Sequence, residues 1–124
     1  MNISQNSSTN HNLISHYDNK SITIANKIFK TSFYASKETT GELNLKDINN
    51  ISLNDLEMIL TTKPEVVIFG TGSKMQKLSP NIYEALINKK INFEYMNTIS
   101  AIKTYNALCF DERNALGVFI IDNI

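Results

Sequence analysis

Glu65-Val66-Val67-Ile68-Phe69-Gly70-Thr71-Gly72 is the stretch that decides the architecture. Glu65 to Phe69 runs apolar without alternation, as a strand does when both of its faces are covered. Gly70-Thr71-Gly72 breaks it. Just before it, Lys63-Pro64 ends a helix, since Pro64 disfavours α geometry in the residue it follows. That helix begins at Ser52, with Asp55 three positions on as a capping box, and carries Leu53, Leu56, Ile59 and Leu60 as its apolar stripe.

The same logic extends downstream. Ser79-Pro80 opens a second helix, with Pro at its first position and Ile82, Tyr83, Leu86 and Ile87 as its buried stripe. Ile91 to Met96 alternates and reads as a strand. Asn97 or Thr98 caps a third helix through about Phe110, and Ala115 to Ile121 is a last strand. The order is β-α-β-α-β. A right-handed first crossover makes Glu65–Phe69 and Ile91–Met96 parallel in one sheet.

Upstream, turns at Asp18-Asn19-Lys20 and Asn26-Lys27 separate short alternating runs, the last from Ile28 to Ala35, with Glu42 to Leu45 as a further short strand. These predict an N-terminal antiparallel β-meander. The expected fold is therefore α/β, a meander joined to a βαβαβ unit with helices covering a mixed sheet. Residues 1–11 show no apolar periodicity and have little to bury, and are expected to form a disordered polar tail, leaving 12–124 as one α/β domain.

Charge and cysteine content narrow the function classes. Twelve basic residues balance twelve acidic ones, which argues against nucleic acid as a partner, because phosphate recognition needs clustered Lys and Arg. Cys109 is the only cysteine, so neither a disulfide framework nor a multi-cysteine zinc site is expected. His11 and His16 have no ligand-spaced companions, so no metal is assigned, and nothing calls for a cofactor. Met1 to Asn10 lacks a signal-peptide core or transit-type Arg, and no apolar run could span a bilayer; the expectation is a cytoplasmic protein.

Residues that could carry chemistry cluster in two places. Gly70-Thr71-Gly72 follows the C-terminal end of a strand, where open α/β sheets bind ligands, and Ser73, Lys74 and Lys77 add donors and charge. The third glycine of a dinucleotide fingerprint and the Gly-Lys-Ser/Thr of a P-loop are both missing. A tight turn and an anion-binding loop both remain open. On the third helix, Ile99, Ala101, Ile102, Tyr105, Leu108, Cys109 and Phe110 form a broad apolar arc, with Ser100, Thr104 and Ala107 as a small-residue face edged by Lys103. Asn106 falls inside that arc and needs partners for its amide, either neighbouring backbone or a ligand. Cys109 reads as core, and Arg113 as a cation suited to the helix end. Nothing brings Glu84 and Glu94 together as an acid/base pair.

Gly70-Thr71-Gly72, Met96-Asn97-Thr98, Ala101, Thr104-Tyr105-Asn106, Leu108 and Glu112-Arg113 resemble, in order and spacing, the family that includes mitochondrial respiratory complex I assembly factor three. The resemblance runs from about Leu13 to Ile121. Typical members carry Asp where this chain has Asn97, and Arg where it has Lys103. It implies a three-layer α/β fold with a mixed central sheet and no established enzymatic activity. In the mitochondrial member it implies a role in assembling complex I with partner proteins.

The resulting expectation is a non-enzymatic binding or assembly protein with an unidentified protein partner; self-association is compatible with it. The alternative is a small anionic-ligand site, or an enzyme, built from Gly70, Thr71, Gly72, Lys74, Thr98, Lys103, Thr104 and Asn106. A concave pocket between the glycine loop and Thr98 would favour the ligand, and a filled surface the assembly role.

Overall fold

A computed structural model describes residues 12–124; the polar tail at residues 1–11 lies outside the described residues. The elements run β1 (Ile14–Tyr17), β2 (Ile22–Ile24), β3 (Lys27–Phe29), β4 (Phe33–Ala35), β5 (Thr40–Glu42), α1 (Leu53–Ile59), β6 (Val66–Gly70), α2 (Pro80–Asn88), β7 (Asn92–Met96), α3 (Thr98–Phe110) and β8 (Ala115–Phe119). β1-β2-β3 form a small antiparallel sheet, and β5-β4-β8-β6-β7 form a mixed one. Within it β6 is parallel to both neighbours, pairing Val66 with Asn92 and with Ala115, while β4 is antiparallel to β8.

Handedness explains the layering. The chain leaves β6 for β7 on one side and then returns past β6 to β8 on the other. With both crossovers right-handed, their helices must lie on opposite faces. α1, α2 and the segment from Leu43 to Ile51 cover Val67, Phe69, Leu116 and Val118. α3 and the small sheet cover Val66, Ile68, Ala115 and Phe119. Successive residues of β6 thus serve different layers, which is why its apolar run does not alternate.

α1 starts as its capping box requires: Ser52 Oγ accepts the Asp55 N–H at 3.0 Å, and Asp55 Oδ2 accepts the Ser52 N–H at 3.5 Å. α2 and α3 end in Schellman motifs whose left-handed residues are Lys90 and Glu112 rather than glycine. Ile91 N–H reaches Leu86 O at 3.1 Å, and Arg113 N–H reaches Leu108 O at 2.9 Å. Arg113 then turns from the helix end to Glu65, Nε to Oε1 at 2.6 Å. That guanidinium bond holds the Glu65 carboxyl below its usual range.

Several sequence expectations need correction. The run from Ile28 to Ala35 is two strands in two sheets, because the chain corners at Ser32. Ser32 O accepts the Leu43 N–H at 3.0 Å and its Oγ accepts the Leu45 N–H at 2.6 Å, and the corner lets Phe29 stack on Phe33 at 4.2 Å. Leu43 and Leu45 are consequently buried loop residues, and the strand there is Thr40–Glu42. The β2–β3 turn is Ala25-Asn26, both at positive φ, one residue earlier than the Asn26-Lys27 signal.

The apolar stripes are narrower than their periodicity suggests. Ile82 and Leu86 are buried on α2, but Tyr83 and Ile87 are 44% and 53% exposed. Tyr83 packs against Phe93 of β7, Ile87 follows four residues on along the same helix face, and among the described residues no further strand lies beyond β7. Leu53 is half-exposed on α1, and Phe110 at the end of α3 is 70% exposed. The buried arc of α3 is Ala101, Ile102, Tyr105 and Cys109.

Asn106 sits on the rim of that arc and pins the small sheet to the helix. Its Oδ1 accepts the Ile14 N–H and its Nδ2 donates to Ile14 O, both at 2.9 Å. Asn106→Leu leaves both Ile14 groups unpaired beside a buried side chain. The expected loss is about 1–3 kcal/mol of stability, read as a lower midpoint in urea denaturation.

Candidate functional site

The ends of β6 and β7 feed chain to opposite faces of the sheet, and that divergence opens the crevice where α/β sheets place ligands. Gly70-Thr71-Gly72 leaves β6 on one side of it, and Asn97-Thr98 starts α3 on the other. Four of the residues nominated from sequence, Gly70, Thr71, Gly72 and Thr98, do meet there. Gly70 permits the approach: a Cβ on it would sit 3.0 Å from Thr98 Cα, Thr98 Oγ1 and Ala101 Cβ.

The polar groups at this edge are engaged by the chain itself. Thr98 N–H donates to Gly72 O at 2.8 Å, and Thr98 Oγ1 accepts the Gly72 N–H at 2.8 Å. The same hydroxyl donates to Ile120 O at 2.7 Å, tying in the end of the third parallel strand. Thr71 N–H reaches Met96 O at 2.8 Å, and Ile120 N–H reaches Gly70 O at 2.9 Å. Thr71 Oγ1 lies within donating reach of Lys74 O, 2.7 Å, and Met96 O, 3.1 Å, and accepts the Gln76 N–H at 3.0 Å. Both threonines are fully buried. Asn97 caps α3 by accepting the Ser100 N–H at 2.8 Å.

An acidic side chain that sequence reasoning missed occupies the place an incoming anion would take. Asp122 Oδ1 accepts the Ser73 N–H at 2.6 Å. Its carboxylate also lies directly over Gly72, which holds φ at +109°. The only available signal was position: Asp122 follows the C-terminal end of β8, on the same sheet edge as the glycine loop.

The remaining nominated residues disperse. Thr104 reaches Met96 Sδ at 3.4 Å on the α3 side of β7. The side chains of Lys74 and Lys103 are exposed. Asn106 lies at the small sheet, on Ile14. Three surface clefts, of about 350, 440 and 470 Å³, lie against Lys20 and Asn123, against Lys63 and Lys89, and against Ser36 and Asn114. None of these three is lined by Gly70 to Ser73 or by Thr98.

Cys109 is buried, and burial pushes its thiol up and away from the reactive thiolate. Burial likewise raises the Tyr105 phenol, which donates to Asn12 O at 3.1 Å. Among the described residues no three His, Cys, Asp or Glu side chains group at metal-binding distance.

The chain is similar to several known proteins. Residues 14–120 match the model of a family described as "Protein of unknown function (DUF498/DUF598)". Over 77 residues the chain is 35% identical to a protein of Francisella tularensis subsp. holarctica named "13 kDa major membrane protein", covering 61% of this chain and 62% of that one. It is 27% identical over 103 residues to the Mus musculus "NADH dehydrogenase [ubiquinone] 1 alpha subcomplex assembly factor 3", covering 81% of this chain and 55% of that one. The chain thus spans only about half to three fifths of the length of these two relatives. A solution structure of a Bordetella pertussis protein, described as a Mth938-like domain, superposes with a TM-score of 0.80 at 18% identity, covering 94% of this chain and 89% of that one. That likeness is one of fold.

The contact between Gly72 and Asp122 yields a test. Gly72→Ala places a Cβ at positive φ against the Asp122 carboxylate, at an expected cost of about 1–3 kcal/mol. The cost should fall measurably when Asp122 is also Ala, so a double-mutant cycle by urea denaturation should show non-additivity.

Proposed function

The chain belongs to the DUF498/DUF598 family of proteins of unknown function, and from that membership we propose that it is a non-catalytic assembly protein, holding a partner protein. The observation that carries the reading is the filled crevice. The hydroxyl and loop donors that would greet a ligand are spent on Thr98, Met96, Ile120 and Asp122. A site that has already satisfied its own polar groups gains little from an anion, which would have to displace bonds of equal quality. Relatives named as an assembly factor of NADH dehydrogenase support a protein partner in place of a substrate.

A cytoplasmic place of action is part of the same proposal. Cys109 is a free thiol, and no helix of the described residues is long and apolar enough to cross a membrane. Fractionation of the source cells checks this directly, with recovery in the membrane pellet as the opposing result.

The functional test is capture from native lysate on the tagged chain, with mass spectrometry of retained proteins and retained small molecules together. The expected outcome is one protein in near-equal molar amount and no stoichiometric small molecule. A stoichiometric metabolite, or no partner protein at all, would overturn the assembly reading.

A further inference from the structure

We propose that β7 is a docking edge that takes an extended segment of a partner protein as a sixth strand of the central sheet. The inference rests on the assembly reading above and names the surface that reading needs. β7 is an outer strand of the central sheet, bonded to β6 and to nothing on its other side among the described residues. Met96 O accepts the Thr71 N–H on the β6 side. Since successive residues of a strand point their backbone groups in opposite directions, the N–H and C=O of Phe93 and Tyr95 face outward.

The edge carries few of the usual defences, Glu94 being its one charge. Asn92-Phe93-Glu94-Tyr95-Met96 contains neither Pro nor Lys, and its register with β6 is unbroken by a bulge. The opposite edge of the same sheet, β5, is three residues long against five for β7.

The surroundings specify the partner's pattern. On the α2 side, Phe93 and Tyr95 are only partly buried. Tyr83 packs edge-on against Phe93 at 5.3 Å, and Ile87, four residues on along the same helix face and likewise exposed, extends that apolar surface. On the α3 side, the middle of the strand presents an exposed Glu94. A segment added here meets an apolar shelf on one face and a carboxylate on the other. It must therefore alternate apolar residues with polar or basic ones.

A second copy fits less well. The antiparallel register that overlaps all five residues of β7 sets Glu94 opposite the same residue of the other copy, and like charges directly opposed are destabilising. A different chain with Lys or Arg at that place removes the conflict.

The probe is an end-capped synthetic peptide, Thr-Ile-Lys-Val-Thr-Val-Lys, titrated into the isotope-labelled full chain and followed by amide NMR. Binding should slow hydrogen exchange at the Phe93 and Tyr95 amides by at least about tenfold, with Asn92, Glu94 and Met96 changing little. Tyr95→Pro removes an outward donor while sparing the ladder to β6, and should abolish the effect. Ile87→Glu changes an exposed shelf residue and keeps the test available if the proline variant does not fold. It should weaken binding at least about tenfold, as should Glu in place of both probe lysines.

Unperturbed Phe93 and Tyr95 amides at saturating peptide would overturn the proposal, as would shifts that persist in the variants. Concentration-dependent protection of the same amides without peptide would also overturn it, because the occupant would then be a second copy. The two readings fail separately. A partner captured equally by wild type and Ile87→Glu sinks the edge and leaves assembly standing, whereas a wild type that captures nothing sinks assembly.

Discussion

One hydroxyl group holds the C-terminal edge of the central sheet together. Thr98 Oγ1 accepts from Gly72, in the loop after β6, and donates to Ile120, at the end of β8, while Thr98 itself begins the helix that follows β7. Three strand ends converge on a single fully buried side chain. Without it, Gly72 N–H and Ile120 O would be left in a dry environment, each at about 1–3 kcal/mol. Gly70, Thr71, Gln76 and Asp122 only make sense around this bond. Gly70 lets Thr98 approach, Thr71 ties the loop to Met96, and Asp122 covers the exposed Ser73 N–H.

On the assembly reading proposed above, recognition lies away from this closed edge. A doubly wound sheet usually leaves its crevice open to a ligand; here the chain fills it, and the unfinished part of the structure is the side of the sheet. β7 ends the ladder while α2 still projects Tyr83 and Ile87 past it. An incomplete sheet with an apolar shelf is what an assembly protein can offer a partner strand, and it needs no catalytic group to work. Cys109 and Tyr105, a buried thiol and its phenol neighbour, belong to packing: Tyr105 meets Phe119 edge-on at 5.6 Å, an arrangement that contributes about 0.5–1.5 kcal/mol beyond burial.

The layered core was readable because its signals are local and repeated. Glu65 to Phe69, the Ser52–Asp55 capping box and Pro80 each imply their element without reference to distant residues. What escaped depended on contacts far apart in the chain. Ser32 corners the strand by bonding Leu43 and Leu45, and no pattern within Ile28–Ala35 reveals partners that arrive ten or more positions later. The end of α3 was legible at Phe110, whereas the end of α2 carried no signal, because Lys90 takes the left-handed position where glycine would have announced the stop. At the candidate site, two glycines and a cap drew attention to a loop and a helix start that the fold brings into contact. It could not show that Ile120 and Asp122 complete the cluster, since their role comes from lying in the next parallel strand and not from any motif.

The most direct test of the closed edge is a comparison of Thr98→Val with Thr98→Ser by urea denaturation. Valine keeps the shape and removes the hydroxyl; serine keeps the hydroxyl and loses a methyl. If Thr98 is the bond on which the edge depends, valine should lose about 2–4 kcal/mol while serine stays within about 1 kcal/mol of the wild type. A valine variant as stable as the wild type would contradict it, and would mean that the loop, the helix start and the β8 terminus are held by something other than this hydroxyl.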